Sequence, residues 1–359
     1  MRAGINSTLI FFVFFLYGCT EVVVESKEVK LQFLDEYILP NDLMVDSTLV
    51  GGLSGIDFYK GAYFIACDDK RTPRFYTAKI KVANSKFDTI IFSKAIKLQN
   101  VKGAMDLESI VVDSLRGEIL LVSEGNIKNG DDPSFFSVNH QGEHVSSFEI
   151  PQYFEAKGKQ LPRHNGVFEG LTKSFDEQGY WVVTELPLKL DGPKPKYTET
   201  TSPVRFTYFD KKGTATKQFV YLLDKISKKP LGDFAVNGVT DIVSYAANKL
   251  LVIERSYSSG YGNQGNVIKI YSLDYSDAVN TINNKKLTKD NYYPVKKELV
   301  FNFESIRDSL TNRSIDNIEG ICFGPTLPNG NKTLILIADN NFEKDKQLNQ
   351  VILMEMKLN

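Results

Sequence analysis

Five segments of this chain share one pattern: an apolar strand, a short turn with glycine, asparagine or aspartate, and a second apolar strand that ends on an acid. The segments are 53–69, 107–125, 168–187, 239–256 and 318–341. Short apolar runs separated by turn residues are typical of β-hairpins. A hairpin that recurs along a chain indicates a repeat architecture, in which each unit buries its apolar face against the next.

Further predicted strands extend each hairpin to a four-stranded unit. A third strand follows every hairpin, at 74–80, 134–139, 204–210, 267–274 and 351–357. A fourth strand follows the first four hairpins, at 87–99, 144–150, 217–224 and 297–303. The fifth unit lacks one, but an additional strand at 31–39 precedes the first unit. We therefore predict an all-β fold, a β-propeller of five four-stranded blades closed by an N-terminal strand, with six blades or a β-sandwich as alternatives.

The composition agrees with a globular β protein and argues against a nucleic-acid partner. The chain has 24 phenylalanines and 17 tyrosines, and 42% of its residues are hydrophobic. Its formal net charge is −1, whereas nucleic-acid-binding proteins usually carry a basic excess or a basic stripe.

The N-terminus has the features of an export signal. Arg2 is followed by an apolar run at 9–18, which is shorter than a typical membrane span; Leu16, Tyr17 and Gly18 end it and Cys19 follows. This ending matches the lipobox of bacterial lipoproteins, in which Cys19 carries the lipid; a plain signal peptide is the alternative. We predict a signal peptide at 1–18, a lipidated tether at 19–30 and the propeller domain at 31–359.

Lipidation would anchor the protein to a membrane without spanning it. The residue after the lipid-bearing cysteine is Thr20, so the acidic signal that would retain a lipoprotein at the inner membrane is missing there. This favours an outer-membrane lipoprotein of the cell envelope. We expect the protein to be a monomer. An exported compartment would permit a disulfide between Cys67 and Cys322. Because both lie in apolar strand patterns, two buried thiols are the preferred interpretation.

Acids are predicted to meet at one rim of the disc. The first two strands of a blade are antiparallel, so the start of the first lies beside the end of the second. The pairs expected on this rim are Glu108 with Glu124, Glu169 with Glu185, Asp241 with Glu254, and Glu319 with Asp339. Most of the long connections fall on the same side, where function usually resides; 275–296 and 324–332 are the exceptions.

A ring of carboxylates needs counter-charge, because neighbouring like charges raise one another's pKa. One source is arginine, and the arginines expected on this face are Arg71, Arg74, Arg163, Arg205 and Arg255. The other is a hard cation such as Ca²⁺, which prefers carboxylate and carbonyl oxygens. The predicted metal ligands are Glu108, Glu124, Asp241, Glu319 and Asp339. The alternative is a structural network in which the acids pair with the arginines.

Several motifs resemble a known family, the one named for an esterase-like activity of phytase. The matching stretches are 51–58, "HNGVFEGLTKSFDEQGYWVVTELPLKLDGP" at 164–193, "LLVIERSYSSGYGNQGNVIKIY" at 250–271 and "IDNIEGICFG" at 315–324. The resemblance implies a propeller-like fold, common in exported bacterial proteins, and hydrolysis of esters or phosphoesters. The motif acids and arginine are Glu169, Glu185, Glu254, Arg255 and Glu319. Asn165 stands where the family usually has arginine, with Arg163 and His164 just before it.

Two functions from different classes follow. The first is a calcium-dependent hydrolase of a small-molecule ester or phosphoester, with Glu169, Glu185, Glu254 and Arg255 as catalytic residues. Its substrate-binding residues would be Arg74, Arg163, His164, Asn165 and Arg205. The second is a non-catalytic lipoprotein propeller that binds a ligand or an envelope protein, since a fold does not determine a function.

Overall fold

The structure, a computed structural model, describes residues 1, 28–103 and 105–358. Cys19 and the predicted signal peptide beyond Met1 lie outside the described residues. Among those that are described, no helix combines the length and apolar character needed to cross a bilayer.

Within these described ranges, twenty-two strands form five four-stranded antiparallel sheets and one small hairpin. Blade 1 contains β4 Leu53–Tyr59, β5 Ala62–Cys67, β6 Arg74–Ala83 and β7 Lys86–Lys97. Blade 2 contains β8 Leu107–Asp113, β9 Glu118–Ser123, β10 Ser134–Val138 and β11 His144–Ser147. Blade 3 contains β12 Phe168–Lys173, β13 Gly179–Thr184, β14 Pro203–Asp210 and β15 Ala215–Leu222. Blade 4 contains β16 Ala235–Ala246, β17 Lys249–Ser258, β18 Asn266–Asp274 and β19 Lys297–Asn302.

Blade 5 is assembled from both ends of the described chain. It contains β20 Asn317–Phe323, β21 Lys332–Asp339, β22 Asn349–Leu358 and, as its outer strand, β1 Val29–Leu39. β1 pairs antiparallel with β22, from Val29 opposite Leu358 to Leu39 opposite Asn349. The prediction of five blades closed by an N-terminal strand is therefore confirmed, and the six-blade and sandwich alternatives are wrong.

Short elements outside the blades lie in the connections. The small hairpin is β2 Met44–Val45 with β3 Thr48–Leu49. The 3-10 helices of the described part of the chain are Gln152–Phe154, Gly262–Gln264, Phe303–Ser309 and Thr311–Arg313.

The hydrophobic core is divided among the interfaces between neighbouring blades. Ile253 of blade 4, for example, belongs to one cluster with Leu336 of blade 5, and Leu353 of blade 5 belongs to another with Ile65 of blade 1. Cys67 and Cys322 lie in that second cluster as free, buried thiols. Burial of these apolar faces on both sides of each sheet explains why the blade strands are nearly continuous apolar runs.

Every innermost strand carries a β-bulge at the same place. The pairing register shifts between residues 53 and 55, 107 and 109, 168 and 170, 239 and 241, and 318 and 320. A bulge leaves one residue unpaired and redirects its side chain. The residues at the five equivalent bulge positions are Ser54, Glu108, Glu169, Thr240 and Glu319.

Small residues after the bulges allow the five innermost strands to approach closely around the axis. A Cβ on Gly55 would lie 2.6 Å from the Ser109 Cα, and one on Gly170 would lie 3.0 Å from the Asp241 Cα. Glycine is required at these positions because a neighbouring backbone occupies the space of a side chain. The Glu-Gly pairs of the sequence thus combine an acid at the bulge with a close strand contact behind it.

Candidate active site

A second ring of side chains follows the ends of the second strands, above the bulge positions. The residues at its five equivalent places are Asp68, Glu124, Glu185, Arg255 and Asp339. Their equivalence follows from the register, because the backbone amides of Asp68, Glu124 and Glu185 each bond to the carbonyl two residues before the bulge. Arg255 and Asp339 pair with Gly238 and Asn317, which are also two residues before a bulge.

The two rings open into a cavity of about 540 Å³ at one end of the central channel. Seven carboxylates line it: Asp68, Asp106, Glu108, Glu169, Glu185, Glu319 and Asp339. Glu124 lies beside these acids: one oxygen of its carboxylate is within 4.8 Å of an oxygen of Glu169 and of an oxygen of Glu185. Lys70, Lys128 and Lys194 are exposed side chains at the cavity mouth.

Arg255 is the cation within the acidic rings. Its Nη1 donates to Glu319 Oε1 at 2.7 Å and to Asn317, and its Nη2 donates to Glu185 Oε1 at 3.1 Å. Arg255, in blade 4, therefore links acids of the two neighbouring blades, 3 and 5. Its Nε is buried and has no hydrogen-bond partner among the described residues.

Glu124 and Glu169 differ in how they are held. Glu124 Oε1 accepts backbone N–H groups from Gly166 at 2.5 Å and from Val167 at 2.6 Å, which fixes its carboxylate. Glu169 is only 8% exposed, and within the described part of the chain its carboxylate has no hydrogen-bond or ion-pair partner. A buried carboxylate without a partner is costly, so a protein usually pairs it, protonates it or binds a metal with it.

Burial and mutual repulsion raise the pKa of the cavity acids. Burial, then the neighbouring Asp339, raises the pKa of Asp68 to about 8. Burial raises the pKa of Glu319 to about 8, although Arg255 opposes the change. The pKa of Glu169 is raised well above its usual value by burial and by Glu124 and Glu185. In the absence of a cation, several of these carboxyls therefore hold protons near neutral pH.

The donor set fits a hard divalent cation. In two groups of carboxylates, one oxygen of each residue lies within 4.8 Å of one oxygen of each of the others: Asp106 with Glu108 and Glu124, and Glu124 with Glu169 and Glu185. Ca²⁺ is held by several such oxygens, supplemented by carbonyl and water oxygens. Glu169, whose carboxylate forms no hydrogen bond or ion pair with a described residue, is available to such a cation.

The structure brings most of the predicted residues to this cavity. Those that line it or border it are Glu108, Glu124, Glu169, Glu185, Arg255, Glu319, Asp339, His164 and Asn165. His164 is half-buried and Asn165 is exposed. Burial lowers the pKa of the His164 imidazole, so its neutral form is favoured.

The expected positions of Asp241 and Glu254 on the rim are wrong. The blade 4 bulge residue is Thr240, so Asp241 corresponds to Gly170 and lies deeper in the channel. There its oxygens accept hydrogen bonds from Ser109, Leu171 and Ile321. Asp241 thus holds the innermost strands together.

Glu254 faces the interface between blades 3 and 4. It precedes Arg255, and successive residues of a strand point to opposite faces. Its carboxylate accepts hydrogen bonds from Tyr221 at 2.5 Å, from Asn237 at 2.7 Å, and from Lys297. These partners are structural, and Glu254 is 1% exposed.

Three predicted substrate-binding arginines also lie outside the cavity lining. Arg74 is buried and bonds to Asp69 at 2.8 Å and to Tyr76 at 2.8 Å. Arg205 forms a two-pronged pair with Asp191, at 2.6 and 2.9 Å. The Arg163 side chain donates to two backbone carbonyls of the connection between β13 and β14. The prediction that these arginines meet at the acidic rim is wrong because nearby groups already bind them.

Sequence reasoning missed Asp106 and Lys70. Asp106 lines the cavity two residues before Glu108, as Asn317 does two residues before Glu319. The shared spacing, Asp-Leu-Glu in one blade and Asn-Ile-Glu in another, was the signal that could have identified it. Lys70 Nζ lies 2.5 Å from Asp106 Oδ2, and its distance in sequence from any motif gave no indication of this contact.

Solved structures that resemble the chain share low sequence identity with it. An endo-arabinase from Bacteroides thetaiotaomicron is 12% identical with a TM-score of 0.48, covering 91% of this chain and 98% of that one. A thermostable family-43 glycoside hydrolase is 8% identical with a TM-score of 0.47, covering 85% and 88%. A DUF4221 family member from Bacteroides vulgatus is 10% identical with a TM-score of 0.40, covering 93% and 99%. Likenesses of this size carry no statement about activity.

Family membership comes from the sequence. No curated protein matches the chain. The model of the phytase-like family, described as "esterase-like activity of phytase", matches residues 48–342 of this chain. This range spans all five hairpins and both acidic rings. The chain therefore belongs to the phytase-like family.

Proposed function

We propose that this phytase-like propeller is a hydrolase that binds a divalent cation, calcium in the simplest case, in its acidic cavity and cleaves a small-molecule ester or phosphoester there. The observation that carries the proposal is the buried, unpartnered carboxylate of Glu169 in a cavity lined by seven acids. Glu124, Glu169 and Glu185 are the residues that would hold the cation. When bound, the cation would polarise a carbonyl or phosphoryl oxygen and stabilise its developing negative charge.

The charges at the mouth support an anionic substrate. Lys70, Lys128 and Lys194 are exposed there, above the buried acids. Exposed positive charges at a cleft entrance raise the local concentration of anions. The acids deeper in the cavity would repel such a substrate, so we expect cation binding to precede productive substrate binding.

Arg255 is placed to orient an anionic group. Its guanidinium lines the cavity, and its side chain is 15% exposed. Guanidinium groups bind carboxylate and phosphate oxygens through fixed, directional N–H donors. The bonds to Glu185 and Glu319 hold the guanidinium in place for that contact.

Water is the nucleophile that the lining supports. In the described part of the chain, no serine, threonine or cysteine side chain lines the cavity, whereas carboxyls with raised pKa values do. A carboxyl whose pKa lies near the working pH can take a proton from water or give one to a leaving group. Glu108 is the acid available for this role, since it forms no side-chain hydrogen bond with a described residue and is not one of the three acids that would hold the cation.

Export and lipidation at Cys19 belong to the same proposal. We place the protein in the cell envelope as a monomeric outer-membrane lipoprotein, attached through its lipid alone and acting on a small molecule. The apolar run at 9–18 followed by Leu-Tyr-Gly-Cys supports this location. Labelling with radioactive palmitate, compared between the wild type and Cys19→Ala, tests it.

Hydrolysis assays on chelated protein test the catalytic claim. After treatment with EDTA, p-nitrophenyl phosphate and p-nitrophenyl acetate should be cleaved only when calcium is returned. Glu169→Gln should lower kcat/KM on the order of 100-fold, because it removes a charged ligand without changing the shape of the site. Glu298→Gln, a change of an exposed acid on β19, is the matched control and should leave the rate unchanged. Calcium binding without turnover of either ester would replace the hydrolase by the ligand-binding propeller.

A further inference from the structure

We propose that blade 4 gives the acidic cavity an aromatic wall, formed by Phe234 and Tyr257, which selects anionic esters that carry an aromatic or similarly bulky apolar group. The proposal rests on the proposed hydrolase and names the class of its substrate. Both residues line the cavity, and their ring centroids lie 6.0 Å apart. Apolar and aromatic side chains beside a few placed charges are the usual lining of a small-molecule site.

The strand register places both rings directly outward from Arg255. Arg255 and Tyr257 are two residues apart on β17, so their side chains point to the same face of the sheet. Tyr257 lies opposite Val236 on β16, and the pairing is regular from Ala235 to Val239. Phe234 comes two residues before Val236, which also lines the cavity. An anion held by Arg255 would therefore have its organic group beside the two rings.

The backbone holds the aromatic wall in place, although the Phe234 side chain is 57% exposed. The Phe234 N–H donates to Ser259 Oγ at 3.0 Å, and the Ser259 N–H donates to the Phe234 carbonyl at 2.9 Å. A Cβ on Gly265 would lie 2.7 Å from Tyr257 Cε2, so the tyrosine ring packs directly against the backbone there. A wall that is fixed before binding loses little conformational entropy when a ligand contacts it. Covering the exposed ring also removes apolar surface from water, which favours binding.

The aromatic wall occupies one side of the mouth, and the opposite side is basic. The residues that correspond to Tyr257 in the other blades, two positions after the second ring, are Lys70, Asn126, Pro187 and Asn341. The innermost strand of blade 4 contacts those of blades 3 and 5, so Lys70 of blade 1 and Lys128 of blade 2 lie across the mouth from the rings. A ligand with an anionic group and an apolar group complements both sides, whereas a uniformly charged ligand gains nothing from the wall.

Calorimetric titration with two non-hydrolysable phosphonates measures the contribution of the wall without requiring turnover. The calcium-loaded, full-length wild type should bind phenylphosphonate roughly 10-fold more tightly than methylphosphonate, because the phenyl group contacts the two rings. Phe234→Ala should lose most of this preference, and Phe234→Leu should keep part of it. Phe175→Ala is the matched control, since it removes a phenylalanine that is 54% exposed in the turn between β12 and β13, at the opposite end of the channel. It should keep the full preference.

Steady-state kinetics of the same variants separates binding from catalysis. Phe234→Ala should raise KM for p-nitrophenyl phosphate about 10-fold with little change in kcat, because the contact is lost equally from the bound substrate and the transition state. KM for glycerol phosphate, which has no apolar group of this size, should stay unchanged.

A wild type that binds neither phosphonate or binds both equally, or a Phe234→Ala variant with the preference of the wild type, would overturn the aromatic wall. Preference for phenylphosphonate without hydrolysis of any ester would support the wall and overturn the hydrolase. Calcium-dependent hydrolysis without that preference would leave the proposed function standing and overturn the wall. Circular dichroism of each variant establishes that it is folded.

Discussion

In the presence of a chelator, the free energy of unfolding of this protein should fall as the pH rises from 5 to 8, and calcium should abolish that fall. The cavity acids have raised pKa values in the folded state, about 8 for Asp68 and Glu319. The same side chains ionise near pH 4 in the unfolded chain. Between these values the folded protein binds more protons than the unfolded one, so stability is full below about pH 4 and is lost toward pH 8.

Between pH 5 and 8 the change in stability comes mainly from the cavity acids. Asp69, Asp113 and Asp224 have pKa values lowered to about 2 in the folded protein. They are ionised in both the folded and the unfolded chain above pH 5, so their contribution to stability no longer changes there. His164 acts in the opposite direction, but it is a single residue and half-buried. Each unit by which one folded-state pKa exceeds its unfolded value costs about 1.4 kcal/mol above that pKa.

Urea denaturation at pH 5, 6.5 and 8 measures the free energy of unfolding. Running it in EDTA tests the fall with pH, and running it in millimolar calcium tests whether calcium abolishes that fall. Glu169→Gln should reduce the pH dependence in EDTA, because it removes one acid that repels its neighbours. Glu298→Gln should not change it. Stability that is flat or rising over this range in EDTA would show that the cavity acids are compensated without a cation.

Asp241→Ala should cost about 3–5 kcal/mol of stability. Asp241 accepts the Ile321 N–H at 2.9 Å, the Leu171 N–H at 3.3 Å and the Ser109 hydroxyl at 3.2 Å. These donors belong to the innermost strands of three other blades. Alanine would leave two buried backbone N–H groups unpaired, at about 1–3 kcal/mol each, and a cavity at the axis.

Asp241→Asn should cost less, because the amide keeps the shape and one acceptor oxygen but turns an N–H₂ toward a backbone donor. Asp277→Ala, at an exposed position between β18 and β19, serves as the control. Urea midpoints of the three variants measure the effect. A loss below 1 kcal/mol for Asp241→Ala would mean that the axis is held by strand packing alone. The number of calcium ions bound should stay unchanged, since Asp241 lies below the cavity lining.

The propeller could be predicted from sequence because hairpins, turns and strand lengths are local properties. The five hairpins have the expected order, and the strand predicted at 31–39 became β1, Val29–Leu39, beside β22. The blade count followed from counting repeats. The acids Glu169 and Glu319 could be placed at the channel because each opens an innermost strand and precedes a glycine.

The positions of some site residues could not be predicted, because they depend on a one-residue shift in strand register or on a partner that is distant in sequence. A bulge adds one residue to a strand, so Asp241 was assigned to the position that Thr240 occupies. Successive side chains of a strand point to opposite faces, so Glu254 and Arg255 cannot both face the cavity. This rule could have excluded Glu254 from the site on sequence alone. Arg205 was different, since its partner Asp191 comes from an irregular connection whose path no pattern reveals.

Isothermal titration of calcium into the chelated full-length protein, with Glu169→Gln and Glu298→Gln in parallel, tests the cation site most directly. We predict saturable binding with a Kd in roughly the micromolar to millimolar range of oxygen-ligand calcium sites, weakened at least 10-fold in Glu169→Gln and unchanged in Glu298→Gln. Absence of binding, or equal binding by the wild type and Glu169→Gln, would contradict the assignment of the acidic cavity as a cation site.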